Sequence, residues 1–154
     1  MPRSIDDLDR EIIAILQRDG RTTNTEIARQ LEVAEGTIRR RMERLINEDV
    51  IKIVAVTDPF KVGMGIVALI HLDVELSDLD EVAEKLEEMP CVRVVAYATG
   101  VYDIFVEAIF PSQQDLLRFL KDELPRIPGI RNTETSILLR ILKRSYEWEI
   151  PKVE

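Results

Sequence analysis

The chain has 154 residues, 45% of them hydrophobic, which is enough for one ordinary domain or two small ones and excludes wholesale disorder. Because no apolar run approaches the roughly 20 residues of a membrane span, and the polar N-terminus lacks a signal-peptide core, we expect a soluble cytoplasmic protein without a membrane partner. The single cysteine, Cys91, excludes an internal disulfide, and the net charge of −8 excludes a generally adhesive nucleic-acid binder.

Two helices are predicted in the first third of the chain. The first runs from near Asp7 to Arg18, with Asp6 as its N-cap, and places apolar residues at helical spacing. The second begins after Thr23, which stands in capping-box spacing with Glu26, and ends between Gln30 and Glu32. Both helices are amphipathic, so each has one face available to a shared core.

A third helix, within Val33–Val50, carries four of the 21 basic residues of the chain inside six positions. Its apolar positions fall on one side, whereas small, hydroxyl and guanidinium groups fall on the other. Arg41 lies nearer the core side, which indicates packing or bonding within the protein. A short helix, a brief turn and a basic amphipathic helix are typical of a helix-turn-helix that reads the major groove. The predicted DNA contacts are Glu35, Gly36, Thr37, Arg39, Arg40 and Arg44.

Residues 51–61 alternate and are rich in Ile and Val, which predicts a strand or an extended linker ending at Asp58-Pro59. The remainder reads as strand 65–75, helix 78–88, strand 92–98, strand 102–110, helix 112–124 and strand 131–143. This β-α-β-β-α-β order predicts a ferredoxin-like sandwich, with two helices on one face of a four-stranded antiparallel sheet. Several strands are apolar on both faces, so we expect the uncovered face to pack against a second copy across a two-fold axis.

The fold class is therefore α+β: a three-helix, winged helix-turn-helix domain followed by a ferredoxin-like βαββαβ sandwich. The predicted domains are residues 1–50 for DNA binding, a linker strand at 51–63, and residues 64–154 for effector binding and oligomerisation.

The ordered set of motifs resembles the Lrp/AsnC (leucine-responsive, feast/famine) regulators. The stretches that carry the resemblance are LDREIIAILQRDGR at 8–21, EIARQL at 26–31, GTIRRRMERL at 36–45, TDPFKVG at 57–63, TGVYD at 99–103 and IPGIRNTET at 127–135. The resemblance implies a homodimer, often assembled into an octamer, that binds double-stranded DNA and an amino-acid or related small-metabolite effector, with no cofactor and no catalytic activity. Carried over, the effector residues are Thr99, Gly100, Val101, Tyr102, Asp103, Thr133, Glu134 and Thr135.

One position departs from the family pattern. Members commonly place Ser or Thr before the reading helix, where its hydroxyl caps the helix, whereas this chain has Ala34 followed by Glu35. Glu35 suits the helix dipole and can accept a hydrogen bond from cytosine, so the DNA preference is expected to differ.

Two other functions remain open on the sequence. Tetrapyrrole (siroheme-type) decarboxylases resemble this family and use histidine, and the chain has one histidine, His71, in its first predicted sheet strand. A ligand-binding assembly module whose helical domain has no DNA function is the other alternative. Salt-dependent retention of DNA distinguishes the regulator from this module.

Overall fold

The structure, a computed structural model, describes residues 5–151 and divides them into two compact units. The first unit extends to Val56 and resumes at Lys143, whereas the second comprises Thr57–Leu142. This division differs from the predicted domains, because the C-terminal segment packs with the helical unit instead of the sheet.

The first unit contains three helices: α1 (Asp7–Arg18), α2 (Asn24–Leu31) and α3 (Glu35–Asn47). Asp6 caps α1 with a full capping box. The Asp6 side chain accepts a hydrogen bond from the Asp9 N–H, and the Asp9 side chain accepts one from the Asp6 N–H. Thr23 caps α2 through the Glu26 N–H. The buried core is Ile12, Ile13, Ile15, Ile27, Ala28, Ile38, Met42 and Leu45.

The C-terminal segment lies along α1 of the same unit. The Trp148 N–H donates to Gln17 Oε1 at 3.4 Å, and Arg10 Nε donates to the Pro151 carbonyl at 3.3 Å. Ile150 packs against the helical core. A cavity of about 590 Å³ lies between α1, residues 50–56 and this segment. Residues 51–58 form no helix or strand within the described chain.

The second unit contains β1 (Ile66–Val74), α4 (Leu79–Glu87), β2 (Val92–Tyr97), β3 (Ile104–Phe110), α5 (Gln113–Arg118) and β4 (Ile130–Ile137). The antiparallel sheet has the order β2-β3-β1-β4, as in the predicted ferredoxin-like sandwich. Alternate residues of β1 and β3 point into one core with α4 and α5, including Ile70, Leu72, Ile104 and Val106. One sheet face is thus covered by helices.

Two elements differ from the prediction by more than two residues at one end. The helix predicted over 112–124 is α-helical only to Arg118 and continues as a π turn, Phe119–Glu123, and a 3-10 turn that contains Pro125. The last strand ends at Ile137 instead of Lys143. The last backbone hydrogen bond to its partner β1 runs from the Leu138 N–H to the Val67 carbonyl, and β1 itself begins only one residue earlier, at Ile66. Leu139 and Leu142 are consequently almost fully exposed.

No helix in residues 5–151 is long and apolar enough to cross a membrane.

Candidate functional site

The N-terminal half of α3 presents an open, polar surface. Ala34 occupies the N-cap position and provides no side-chain cap. No atom lies within 4 Å of the position that a Cβ on Gly36 would take, so the surface there is unobstructed. Arg39 and Arg40 are exposed one turn further along, and Thr37 is half-buried. Five of the six predicted DNA contacts, all except Arg44, therefore lie at this end of the helix.

Glu35 connects α3 to α2. Its Oε2 accepts a hydrogen bond from the Thr25 hydroxyl at 3.0 Å, and its Oε1 accepts from Arg39 Nη2 at 3.3 Å. The carboxylate thus uses both oxygens within the protein, although 44% of the side chain remains exposed. Thr25 was not among the residues predicted from the sequence.

The opposite side of α3 is tied to α1 by an ionic cluster of Asp6, Asp9, Arg41 and Arg44. Asp9 is completely buried. Arg41 Nη1 donates to Asp9 Oδ1 at 2.9 Å and to Asp6 Oδ2 at 2.6 Å, and Arg44 Nη2 donates to Asp9 Oδ2. The hydrogen bond with Arg41 lowers the pKa of Asp6, and the same contact raises the pKa of Arg41. The expectation that Arg41 bonds within the protein agrees with this geometry.

The side chain of Arg44 does not point to the open face of α3, as helical periodicity predicted, but toward Asp9. Only 24% of its side chain is exposed, and its Nε is buried without a hydrogen-bond partner among the described residues. Its guanidinium reaches back to α1 because two arginines three residues apart on α3 match two acids three residues apart on α1. That matched spacing was visible in the sequence and could have identified the cluster. Arg44 as a DNA contact stays a prediction.

In the second unit, Asp103 holds the β2–β3 hairpin against the end of β1. Its N–H donates to the Leu72 carbonyl, its carbonyl accepts from the Ala98 N–H, and its Oδ2 accepts from the Val74 N–H at 2.9 Å. The side chain is therefore used in the fold and is less available to a ligand than the sequence suggested. At the tip of the hairpin, Gly100 has a φ of 125°, which a residue with a side chain rarely adopts.

The predicted effector residues are separated into groups. The Tyr102 hydroxyl donates to Glu134 Oε2 at 2.6 Å, which raises the pKa of Tyr102. His71 stands opposite Glu134 in the sheet, with its ring centroid 5.5 Å from that of Tyr102. Thr133 and Thr135 pair with the core residues Leu72 and Ile70, so they lie on the helix-bearing side of β4, away from Glu134. Thr99, Gly100 and Val101 form the exposed tip.

His71 Nδ1 is buried and has no hydrogen-bond partner among the described residues, and its ring packs against Tyr102 and Phe105. Between Ile5 and Pro151, no group of three His, Cys, Asp or Glu side chains is arranged to hold a metal ion.

Two family descriptions match the chain, one on each unit. The AsnC-type helix-turn-helix domain matches residues 5–46, and the Lrp/AsnC ligand binding domain matches residues 67–148. The second match alone covers more than half of the sequence.

Relatives of similar length are themselves regulators. An uncharacterised HTH-type transcriptional regulator of Pyrococcus furiosus is 46% identical over 143 residues, covering 92% of this chain and 97% of the relative. A second uncharacterised HTH-type transcriptional regulator, of Pyrococcus abyssi, is 43% identical over 143 residues, which cover 92% of this chain and 90% of the relative. The HTH-type transcriptional regulator FL11 of Pyrococcus furiosus is 38% identical over 93% of this chain and 95% of its own.

Solved structures share the fold. The structure of E. coli AsnC superimposes with a TM-score of 0.80 at 29% identity and covers 93% of this chain and 99% of its own. A Neisseria meningitidis transcriptional regulator, solved in complex with L-Met, has a TM-score of 0.83 at 24% identity, covering 94% of this chain and 96% of its own. With an AsnC-type helix-turn-helix domain in one unit and a domain of the Lrp/AsnC ligand-binding type in the other, the chain belongs to the Lrp/AsnC family of transcriptional regulators.

Proposed function

We propose that the chain regulates transcription by binding a specific double-stranded DNA sequence through the open end of α3. The observation that carries this proposal is the asymmetry of α3. The cluster of Asp6, Asp9, Arg41 and Arg44 ties the later turns of α3 to α1, whereas Arg39 and Arg40, nearer the N-terminus of the helix, remain exposed. Glu35, Gly36 and Thr37 lie at the same open end, and Arg44 is assigned to the periphery of the contact.

The charge distribution of the protein supports DNA binding at one local surface instead of general adhesion to nucleic acids. Arg40 is exposed, and within residues 5–151 its guanidinium makes a single hydrogen bond, from Nε to the Gly36 carbonyl at 3.4 Å. An arginine of this kind can bind a phosphate or the edge of a guanine. The rest of the protein is acidic and repels DNA, so correct docking depends on this one surface and on a second copy related by symmetry.

The test is the substitution Arg40→Ala, with DNA affinity measured by fluorescence anisotropy on a duplex selected from random sequence. We expect a loss of about ten- to a hundred-fold, since one good base or phosphate contact is worth about 1–3 kcal/mol. Arg118→Ala, which removes an exposed arginine from α5 of the other unit, is the matched control and should leave affinity unchanged. Equal affinities for wild type and Arg40→Ala would exclude α3 as the reader.

We also propose that the second unit binds an amino acid or a related small metabolite. Tyr102 and Glu134 form a polar pair beside the hairpin tip, which suits recognition of an ammonium group. Backbone N–H groups around Thr99, Gly100 and Val101 are the candidate partners of a carboxylate, while Asp103 positions the hairpin. Thr133 and Thr135 lie on the other face of β4 and are not assigned to this ligand.

A thermal-shift panel with the twenty amino acids tests this effector proposal. A ligand at 100 times its dissociation constant stabilises the native state by about 2.7 kcal/mol. The Glu134→Gln variant should lose the shift given by the active amino acid, and Glu81→Gln on α4 should retain it. If no amino acid shifts the transition, the effector proposal fails while the DNA proposal stands.

We further propose a homodimer through the uncovered sheet face, assembled into an octamer. Val94, Phe105 and Leu69 share that face by their register, and 42% of Val94 is exposed. Val94→Glu should shift the sedimentation coefficient toward smaller species. Leu117→Glu, an exposed apolar position on α5, should not. A wild-type monomer at micromolar concentration would contradict the proposal.

A further inference from the structure

The hydrogen bonds around Glu35 restrict Arg39, the first arginine on the open end of α3. Because Glu35 and Arg39 are four residues apart, their side chains meet on one helix face, with Arg39 Nη2 at 3.3 Å from Glu35 Oε1. Thr25 fixes the other carboxylate oxygen from α2, a second rigid element. An i,i+4 pair alone is weakly ordered in water, whereas a carboxylate held from two helices has fewer orientations.

We infer that Thr25 and Glu35 act as positioning residues that direct Arg39 toward a base edge and keep it from the phosphates. The inference rests on the proposed DNA-binding function. In each half of a symmetric DNA site (a half-site), it assigns the base preference at one position to the series Thr25, Glu35, Arg39.

The physical reason is competition for one guanidinium group. A free arginine at the end of a reading helix can bind any nearby phosphate, and such contacts add affinity without sequence information. A carboxylate beside it is repelled by phosphates and partly neutralises the guanidinium. An arginine held in this way is attracted less strongly to phosphates. Its remaining N–H donors are available for a bidentate contact with the O6 and N7 of guanine.

Glu35→Ala tests the inference in two measurements on the full-length protein. In binding to random duplex DNA, affinity should rise several-fold, and the slope of log affinity against log salt should steepen by about 0.9, because Arg39 gains a phosphate. In selection from randomised DNA, the base preference at one position of each half-site should relax. A residue that only supported the fold would lower affinity without steepening the salt slope.

The double variant distinguishes positioning from direct reading. If Glu35 acts through Arg39, then Arg39→Ala and Glu35→Ala combined with Arg39→Ala give the same base preferences and the same salt slope. Thr25→Val should reproduce part of the Glu35→Ala effect, whereas Thr25→Ser, which retains the hydroxyl, should restore wild-type preference. Additive effects at two different base pairs would show that Glu35 reads DNA itself and would overturn the inference.

Failure of the proposed DNA-binding function would give a different result from failure of this inference. If the wild-type protein does not bind any duplex at low salt, the DNA-binding proposal fails and this inference falls with it. If wild type binds and Glu35→Ala keeps its salt slope and preference, only the inference is wrong.

Discussion

At the scale of single residues, the buried carboxylate of Asp9 determines how α3 is held. One oxygen accepts from Arg41 and the other from Arg44, and the same side chain closes the capping box of α1. A fully buried acid is stable only when it is paired and hydrogen-bonded, and removing one member of such a cluster leaves charges without partners. Asp9 therefore serves the orientation of the proposed DNA-reading helix.

Replacing Asp9 with alanine should lower the free energy of unfolding by about 3 kcal/mol, near the low end for a buried ion pair because both arginines retain some solvent contact. Urea unfolding followed by circular dichroism measures the change. Asp19→Ala, which removes an exposed acid paired with the exposed Arg21, is the control and should leave the midpoint unchanged. Equal midpoints for the two variants would show that the cluster contributes little.

The acidic neighbour Asp6 gives this cluster a pH dependence. Its pKa in the folded protein lies below the ordinary value of 3.8, chiefly through the hydrogen bond from Arg41 and then that from the Asp9 N–H. The stabilisation is therefore complete above the unfolded pKa and is lost as the pH falls from about 4 through the lowered value. Asp6→Asn should make stability less dependent on pH in that window, measured as thermal midpoints between pH 5 and pH 2. Parallel curves for the two proteins would contradict this assignment.

At the scale of elements, α3 differs from the other two helices described in the first unit, because it begins without a side-chain cap. α1 and α2 are capped by Asp6 and Thr23, whereas Ala34 leaves the first N–H groups of α3 without a side-chain acceptor. The backbone of Ala34 already has the extended conformation of an N-cap, with φ −66° and ψ 137°. A hydroxyl could therefore be added without rebuilding the turn.

Ala34→Ser should stabilise the protein by about 1 kcal/mol, because the serine hydroxyl can accept from an N–H of the first turn of α3. The thermal midpoint of the first unit should rise by about 4–8 °C for a domain of this size. Thr23→Ala, which removes the existing cap of α2, is the opposite control and should lower the midpoint by a similar amount. A midpoint for Ala34→Ser at or below that of wild type would mean that α3 gains nothing from a cap.

At the scale of the whole molecule, the chain passes between its two units twice. It leaves the helical unit after Val56 and returns to it from Lys143, where Ile150 packs on the core beneath α1. The free energy of unfolding of the helical unit consequently includes contacts between α1 and residues 131 and 141 positions further along the chain. Tyr146 and Trp148 line the same cavity as Ile13 and Leu16.

Ile150→Ala should therefore destabilise the helical unit and leave the sheet unit intact. Removing most of a half-buried isoleucine side chain costs about 1 kcal/mol. Calorimetry should show one of two unfolding transitions moving to lower temperature. Leu76→Ala, a highly exposed apolar position, is the control with no expected shift. A downward shift in both transitions would show that the two units unfold together.

Much of the fold could be read from periodicity and capping, because those signals are local. The predicted bounds of α1, Asp7 to Arg18, are those observed, and the four strands and their antiparallel arrangement follow the predicted order. The end of β4 could not be predicted, since the pattern past Ile137 stays apolar and strand-like. β4 ends close to the point where its partner β1 begins, at Ile66, and the length of the partner strand is not written in the sequence of β4.

The candidate site was predicted less completely, because its side chains bond to residues that are distant in sequence and meet only in the folded protein. Periodicity placed Arg44 on the open face, yet its long side chain reaches an acid 35 residues away in sequence. Asp103 looked like a ligand carboxylate, but it accepts from a strand N–H that only the folded sheet brings near. In contrast, Glu35 and Arg39 are four residues apart, so their contact could have been expected from helix geometry alone.

Trp148 is the only tryptophan in the sequence, and it lies in the helical unit, with its backbone bound to Gln17 of α1. Its fluorescence therefore reports the surroundings of the DNA-binding unit alone, without any label. Under the proposed effector function, a metabolite bound to the sheet unit that altered this emission would be communicating with the helices. The chain thus contains its own optical probe for signal transmission, and titrations with effector and with DNA can be followed by the same tryptophan.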